Sequence, residues 1–175
     1  DIDFILTNDQ NDSSIFDRFI KALQKKGLII EILSKGNVKS LTVGRLPGKP
    51  ARRIDFMYSP PGQYAFAILY FTGSKAFNVV QRERALTLGY TMNEHGLYKL
   101  VEVGKKKKKK GPRVDKPFPD ERSIFDFLDL VYKTPEERKT GKDVVVKVPL
   151  GQPSTTVQTV ALQKKTSLST DKSVV

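Results

Sequence analysis

The 175-residue sequence contains no cysteine, no tryptophan and a single histidine, His95. The absence of cysteine excludes disulfide frameworks, cysteine-based zinc sites and thiol nucleophiles, and one histidine cannot build a histidine metal cluster. No apolar run reaches the roughly 18 residues that a membrane span needs, and the opening Asp1-Ile2-Asp3 lacks the basic start of a signal peptide. We therefore expect neither membrane insertion nor secretion, and any metal site must be built from carboxylates.

Positive charge predominates, with 31 Lys and Arg against 19 Asp and Glu and a formal net charge of +12. Six of the basic residues are consecutive, from Lys105 to Lys110. Because such a block repels itself, we predict a solvated loop that meets phosphates or an import receptor. From Asp143 the composition changes to Ser, Thr, Val, Lys and Gln, which predicts a flexible tail over 143–175, or alternatively a docking segment.

The first third of the chain alternates between apolar and polar residues in short runs that turn residues separate. These patterns predict strands over 1–6, 28–33, 38–43 and 51–58, with one amphipathic helix ending at Lys26 before Gly27. Three residues of the first strand are expected to face the core: Ile2, Phe4 and Leu6. In the last strand, alternation places Arg53 and Asp55 on the face opposite Phe56.

Prolines at 60 and 61 interrupt the pattern, and we place a subdomain boundary there. Beyond it we predict helices over 64–71, 75–88 and 123–132, the last of them begun by Asp120-Glu121-Arg122. We also predict strands over 90–93 and 97–101 and a helical turn that begins at Pro135. The whole is predicted to be α+β. We divide the chain into a first subdomain over residues 1–61, a second over residues 62–142 and the tail over residues 143–175.

Three carboxylates form the best candidate for a chemical site. Residues i and i+2 of a strand project from the same face, so Asp1 and Asp3 can converge on one or two hard cations. Asp55, expected on an adjacent strand, is the natural third ligand of a two-metal site that activates a hydroxyl and stabilises a leaving oxygen in phosphoryl transfer. An Asp-x-Asp pair is common in ordinary acidic loops, and its position on a strand is what favours the metal site.

Several segments occur in the order seen in family X DNA polymerases, and the chain resembles the DNA polymerase beta and lambda group over about residues 1–140. The Tyr-Phe-Thr-Gly-Ser segment is the most specific of them. The segments are Asp1-Ile2-Asp3, Leu33-Ser34-Lys35-Gly36, Arg52-Arg53-Ile54-Asp55, Tyr70-Phe71-Thr72-Gly73-Ser74, Phe77-Asn78, Arg82, 89–95, 123–128 and 132–138.

The resemblance implies a nucleotidyltransferase-type palm with a mixed β-sheet over 1–61, truncated at its start, and a small α+β thumb subdomain over 62–142. It implies that Asp1 and Asp3 hold two Mg²⁺ ions, with Mn²⁺ as a substitute, and that Asp55 holds the ion beside the primer 3′ hydroxyl. Arg53 would orient Asp55 and touch the primer backbone. Lys35 resembles a lysine that contacts DNA.

The resemblance also implies a nucleotide site. Tyr70 and Phe71 resemble the segment that crowds a ribose 2′ hydroxyl, and Gly73 suits the sharp turn beside it. Asn78 and Arg82 lie four residues apart on one helix face and match positions that contact the incoming base and the template through the minor groove. His95 and the neighbouring Glu94 are interpreted as structural.

The implied activity is templated addition of deoxynucleotides to short gaps in DNA repair, by base excision or end joining, with release of pyrophosphate. The implied partners are gapped or nicked duplex DNA, deoxynucleoside triphosphates and repair proteins, and we expect a monomer in the nucleus, or in the host cell or virion if the source is viral. Three alternatives stay open: a template-independent terminal transferase, a non-catalytic DNA-binding module, and a nucleotidyltransferase acting on RNA or small molecules.

The sequence begins without Met, directly at Asp1. We therefore expect a fragment that is inactive alone. The resemblance implies lyase and fingers regions upstream, together with a Gly-Ser segment that grips the triphosphate.

Overall fold

A computed structural model describes residues 1–104 and 107–148, and its helices and two sheets confirm the predicted α+β class. The helices are α1 (Ser14–Lys25), α2 (Pro61–Thr72), α3 (Lys75–Thr87) and α4 (Glu121–Phe127). The strands are β1 (Ile2–Leu6), β2 (Ile29–Lys35), β3 (Lys39–Gly44), β4 (Arg52–Tyr58), β5 (Tyr90–Asn93), β6 (Gly96–Val103) and β7 (Lys107–Arg113). Short 3-10 turns follow at Pro135–Glu137 and Gly141–Asp143. No helix within these two ranges combines the length and the hydropathy that crossing a membrane requires.

The first sheet has the strand order β1-β4-β3-β2 and is mixed, because β1 runs parallel to β4 while the other pairs are antiparallel. One face of it carries α1, whose Phe16 and Ile20 are completely buried against Phe56 and Tyr58 of β4. The helix ends where the sequence predicts, since Gly27 adopts a φ of +68° that an L side chain rarely tolerates.

Two residues predicted to be core are exposed, which corrects the prediction for β1. Ile2 is 46% and Phe4 is 48% exposed, although the Phe4 ring stacks on Phe56 at 5.4 Å. The reason is that β1 lies at the edge of the sheet while α1 packs nearest to β2. Both residues line an apolar cavity of about 340 Å³ between the sheet and α1.

The second hydrophobic cluster begins beyond Pro60 and joins α2, α3 and α4 to the second sheet, with Phe77, Ile124 and Leu128 fully buried. Its first helix is one turn longer than the predicted 64–71, since Pro61 occupies the first position, where a missing N–H costs nothing. The predicted cap of α3 is confirmed, because the Ser74 hydroxyl accepts a hydrogen bond from the backbone N–H of Phe77 at 3.1 Å.

The helix predicted over 123–132 begins at Asp120-Glu121-Arg122 as expected, but its predicted C-terminal end is wrong. α4 starts at Glu121, where Asp120 caps it by accepting a hydrogen bond from the Ser123 N–H at 2.8 Å. It stops at Phe127, because Asp129 turns into the left-handed region with a φ of +53° and Leu130 then pairs with Val146.

The second sheet, in the order β5-β6-β7, corrects the prediction for the lysine run. Lys107–Lys110 form the first half of β7 and pair antiparallel with β6, whereas Lys105 and Lys106 lie outside the described residues. Lysine has a weak intrinsic preference for strands, so the neighbouring strand imposes this conformation. Gly104, which directly follows β6, has a positive φ of +66°.

The predicted start of the tail is also wrong. Val144 is 1% exposed and belongs to the second hydrophobic cluster, and the Val131 N–H donates to the Val145 carbonyl at 2.8 Å. The folded part therefore extends past Asp143. The rest of the predicted tail, from residue 149 onward, lies outside the described residues.

Candidate active site

Two of the three predicted carboxylates, Asp3 and Asp55, lie side by side on neighbouring strands of the sheet. The parallel pairing of β1 with β4 makes Asp3 the direct partner of Asp55, so both side chains project from the same face. This face is opposite the one that α1 covers, because Phe56 and Tyr58 point into the core. The predicted alternation in β4 is therefore confirmed, and Asp55 lies on the face that α1 leaves open.

Arg53 connects the carboxylates. Its guanidinium donates from Nε and Nη2 to the two oxygens of Asp55, at 3.0 and 3.1 Å, and its Nε lies 3.6 Å from an Asp1 oxygen. Hydrogen bonding to Asp55, followed by the charges of Asp55 and Asp3, raises the pKa of Arg53 above its usual value. Arg53 therefore offsets the mutual repulsion of three acids at neutral pH.

The donor chemistry of this cluster suits a hard cation, since Asp3 and Asp55 on paired strands and Asp1, which immediately precedes β1, offer only oxygen ligands. Nevertheless, no group of three or more His, Cys, Asp or Glu among the described residues is close enough to hold a metal ion. Both oxygens of Asp55 are bonded to Arg53 instead. Binding of a cation here would require the side chains to rotate, so the predicted metal site stays a prediction.

A second group of predicted residues lies where α2 meets α3. The Asn78 amide donates to the Tyr70 carbonyl at 2.7 Å, which fixes the end of α2 against α3. A Cβ at Gly73 would lie 2.7 Å from the Asn78 side-chain oxygen, so any larger residue there would have to displace the Asn78 side chain. The rings of Tyr70 and Phe71 meet edge to face at 5.0 Å. The structure thus brings together all four predicted nucleotide-site residues.

Arg82 joins the same group. Its guanidinium lies 5.0 Å from the centre of the Tyr70 ring and 3.8 Å from a carboxylate oxygen of Glu94. Glu94, interpreted from the sequence as structural, lies on the turn after β5 and forms this long ion pair with Arg82. Nothing in the sequence around Glu94 indicated that it would pair with Arg82. His95 bonds to Gln63 of α2 at 3.0 Å, which suits a structural role.

Lys35 is the last residue of β2, and its ammonium is already engaged. It lies 2.5 Å from a carboxylate oxygen of Asp17 on α1. Hydrogen bonds from Lys21 and then from Lys35 lower the pKa of Asp17. A DNA contact by Lys35 would have to compete with this ion pair, so the predicted contact stays a prediction.

The sequence analysis missed Gln81, which is completely buried beside the nucleotide-site residues. It lines a cavity of about 10 Å³ together with Tyr70, Asn78 and Arg82. Within the described residues, neither polar atom of its amide has a hydrogen-bond partner. Burying an amide without a partner carries a desolvation cost.

Replacing Gln81 with Met is expected to raise the free energy of unfolding by about 1–2 kcal/mol, because Met keeps the length of the side chain without a polar group to desolvate. Urea unfolding of the 175-residue chain measures the change. Gln24→Met on the exposed face of α1 is the matched control and should change stability by less than about 0.5 kcal/mol. Equal stability of Gln81→Met and wild type would show that the amide is satisfied.

Comparison with known proteins shows that the chain is similar to DNA polymerases. A family model described as the DNA polymerase beta thumb matches residues 67–139. DNA polymerase lambda of Rattus norvegicus is 34% identical over 147 residues, which cover 79% of this chain and 26% of that protein. DNA polymerase lambda of Arabidopsis thaliana is 25% identical over 151 residues, covering 79% and 28%. DNA polymerase/3'-5' exonuclease PolX of Bacillus subtilis is 26% identical over 144 residues, covering 82% and 22%.

The chain belongs to family X of the DNA polymerases. It spans about a quarter of the length of the curated relatives it matches. The family assignment made from the ordered sequence segments is therefore confirmed.

Proposed function

We propose that the protein containing this chain is a DNA-directed DNA polymerase that fills short gaps in DNA repair. It would add a deoxynucleotide to a primer 3′ hydroxyl and release pyrophosphate. The observation that carries this proposal is the direct pairing of Asp3 with Asp55 on parallel strands, with Asp1 beside them. Family membership supports the class of reaction, and the carboxylate face supports its location.

Asp1 and Asp3 would hold two Mg²⁺ ions, and Asp55 would hold the one nearest the primer, with Mn²⁺ as a substitute. When bound, such ions supply Lewis-acid stabilisation of phosphoryl oxygens and lower the pKa of the attacking hydroxyl. Asp55 would first exchange its two bonds to Arg53 for the cation. The released guanidinium, 44% exposed, would then be available to the negatively charged primer backbone.

On the nucleotide side, the close contact of Tyr70, Gly73 and Asn78 supports selection against a ribose. The Asn78 hydrogen bond fixes the backbone at the end of α2. A nucleotide sugar placed against Tyr70 and Gly73 would therefore have little room for an extra 2′ hydroxyl. Arg82 would test the shape of the new base pair from the minor groove, where donors and acceptors vary little with sequence. Its ion pair with Glu94 is long, at 3.8 Å, and is therefore easily exchanged.

The test is incorporation of one labelled deoxynucleotide by the complete gene product that contains this chain, on duplex DNA with a one-nucleotide gap and Mg²⁺. We expect addition of the complementary deoxynucleotide only, and no addition in excess EDTA. Parallel reactions use the matching ribonucleotide and a single-stranded primer without template.

Each alternative gives its own result. Equal addition of all four nucleotides to the single-stranded primer would indicate a terminal transferase, and preferred use of the ribonucleotide would indicate a different nucleotidyltransferase. Binding of gapped DNA without any addition would overturn the polymerase proposal in favour of a DNA-binding module, whose affinity would fall steeply with salt.

A further inference from the structure

The hairpin of β6 and β7 carries a concentration of positive charge that the proposed active site does not use. Lys107, Lys108, Lys109 and Lys110 are consecutive on the edge strand of the second sheet, and all four are exposed. Among the described residues none of them makes a salt bridge. We call Lys107–Lys110 the lysine strand.

The two faces of the lysine strand differ. Directly paired residues of antiparallel strands share a face. Lys107 is paired with Val103 and Lys109 with Val101, and both valines are at least 40% exposed. This face therefore presents two ammonium groups without an acid opposite them.

The other face is partly compensated. Lys108 is paired with Glu102, so opposite charges lie across the two strands. The Lys110 ammonium lies 3.5 Å from the centre of the Tyr98 ring, a cation–π contact that holds it close to the sheet. Free positive charge is therefore concentrated on the side of Lys107 and Lys109.

The spacing of this charge matches a nucleic-acid backbone. An antiparallel strand rises about 3.4 Å per residue, and one strand of B-DNA carries one negative charge per roughly 3.4 Å of helix axis. Lys107 and Lys109 lie two residues apart on one face, so the strand holds them about 6.8 Å apart, the spacing of every second phosphate charge along one DNA strand. The same residues in a flexible loop would lose this match.

We propose that the lysine strand binds the phosphate backbone of duplex DNA flanking the gap, and that Lys107 and Lys109 make the principal contacts. This inference rests on the proposed function, which supplies DNA as the partner. The contacts position the protein without reading sequence, as phosphate contacts do.

Two other roles for the lysines are less compatible with the structure. An import receptor that takes a basic run as an extended peptide would meet a segment whose backbone is already paired with β6. Protection of an edge strand from aggregation needs a lysine or two, rather than four consecutive ones covering both faces.

The test is the salt dependence of binding to gapped duplex DNA, measured by fluorescence anisotropy with the complete gene product. Lys107→Gln/Lys109→Gln is compared with Lys108→Gln/Lys110→Gln, which removes the same charge from the opposite face. Lys25→Gln/Lys26→Gln at the end of α1 is the control for net charge. Circular dichroism checks that each variant is folded.

Losing two phosphate contacts lowers the slope of log K against log salt by about 1.8. The drop in affinity between 50 and 200 mM salt should therefore be about tenfold smaller for Lys107→Gln/Lys109→Gln than for wild type. The other two variants should change this ratio by less than about threefold, roughly the effect of one lost contact.

Equal slopes for all three variants would overturn the proposal, because the lysine strand would then act only through net charge. A slope that falls equally for both faces would contradict the assignment of Lys107 and Lys109. An unchanged affinity for DNA with loss of binding to an import receptor would favour the receptor. Since binding needs no catalysis, a protein that shows the predicted slopes but adds no nucleotide would refute only the proposed polymerase activity.

Discussion

Replacing Asp55 with Asn is expected to reduce nucleotide addition on gapped DNA by on the order of 10³-fold or more. The carboxylate is proposed to hold the cation at the primer hydroxyl, a contribution of several kcal/mol, and about 1.4 kcal/mol corresponds to a factor of ten. Asn has nearly the same shape, so the fold should be preserved. Single-turnover incorporation by the complete gene product measures the loss.

The same variant separates chemistry from binding. Asp55→Asn removes a negative charge from a face proposed to meet phosphates, and it also frees Arg53 from a bidentate ion pair. Affinity for gapped DNA should therefore be retained or should increase. Asp9→Asn, at an exposed loop position outside the cluster, is the matched control and should keep wild-type activity. Activity of Asp55→Asn within tenfold of wild type would rule out its metal role.

Replacing Arg138 with Met is expected to lower the free energy of unfolding by about 3–5 kcal/mol, because it leaves a largely buried carboxylate without its counter-ion. Arg138 is 1% exposed, and its guanidinium lies 2.6 Å from an oxygen of Glu121, whose side chain is 15% exposed. Its Nε also donates to the Lys133 carbonyl at 3.0 Å. One residue therefore joins α4 to the turn that follows it.

The measurement is urea unfolding of the 175-residue chain. A double variant, Arg138→Met with Glu121→Met, should recover most of the lost stability, because neither charge is then buried alone. Arg122→Met, which removes an arginine lying 4.1 Å from the centre of the Tyr132 ring, controls for the loss of a cation–π contact. It should cost no more than about 1 kcal/mol. A double variant as unstable as Arg138→Met would contradict the charge-pair explanation.

Local signals in the sequence were sufficient for the elements that local chemistry controls. Gly27 ends α1 through its positive φ, Ser74 caps α3, and the predicted turn at Pro135 carries a capping box between Thr134 and Glu137. Alternation along β4 correctly placed Asp55 opposite Phe56. Each of these depends on residues within a few positions of one another, so the sequence alone specifies them.

Features that depend on distant partners were not predictable in the same way. The strand formed by Lys107–Lys110 exists because β6 supplies its hydrogen bonds. Val144 is buried because it packs into the second hydrophobic cluster. The exposure of Phe4 likewise depends on how far α1 reaches across the sheet. Intrinsic preference for helix or strand is weak, and tertiary contacts override it at such positions.

The carboxylate site combines both kinds of information. Its residue types and the spacing of Asp1 and Asp3 could be read directly from the sequence, as could the order of the family segments. The direct pairing of Asp3 with Asp55, and the position of Arg53 between the acids, required the structure. The physical reason is strand register, because a shift of one residue between β1 and β4 would turn one of the two carboxylates to the opposite face.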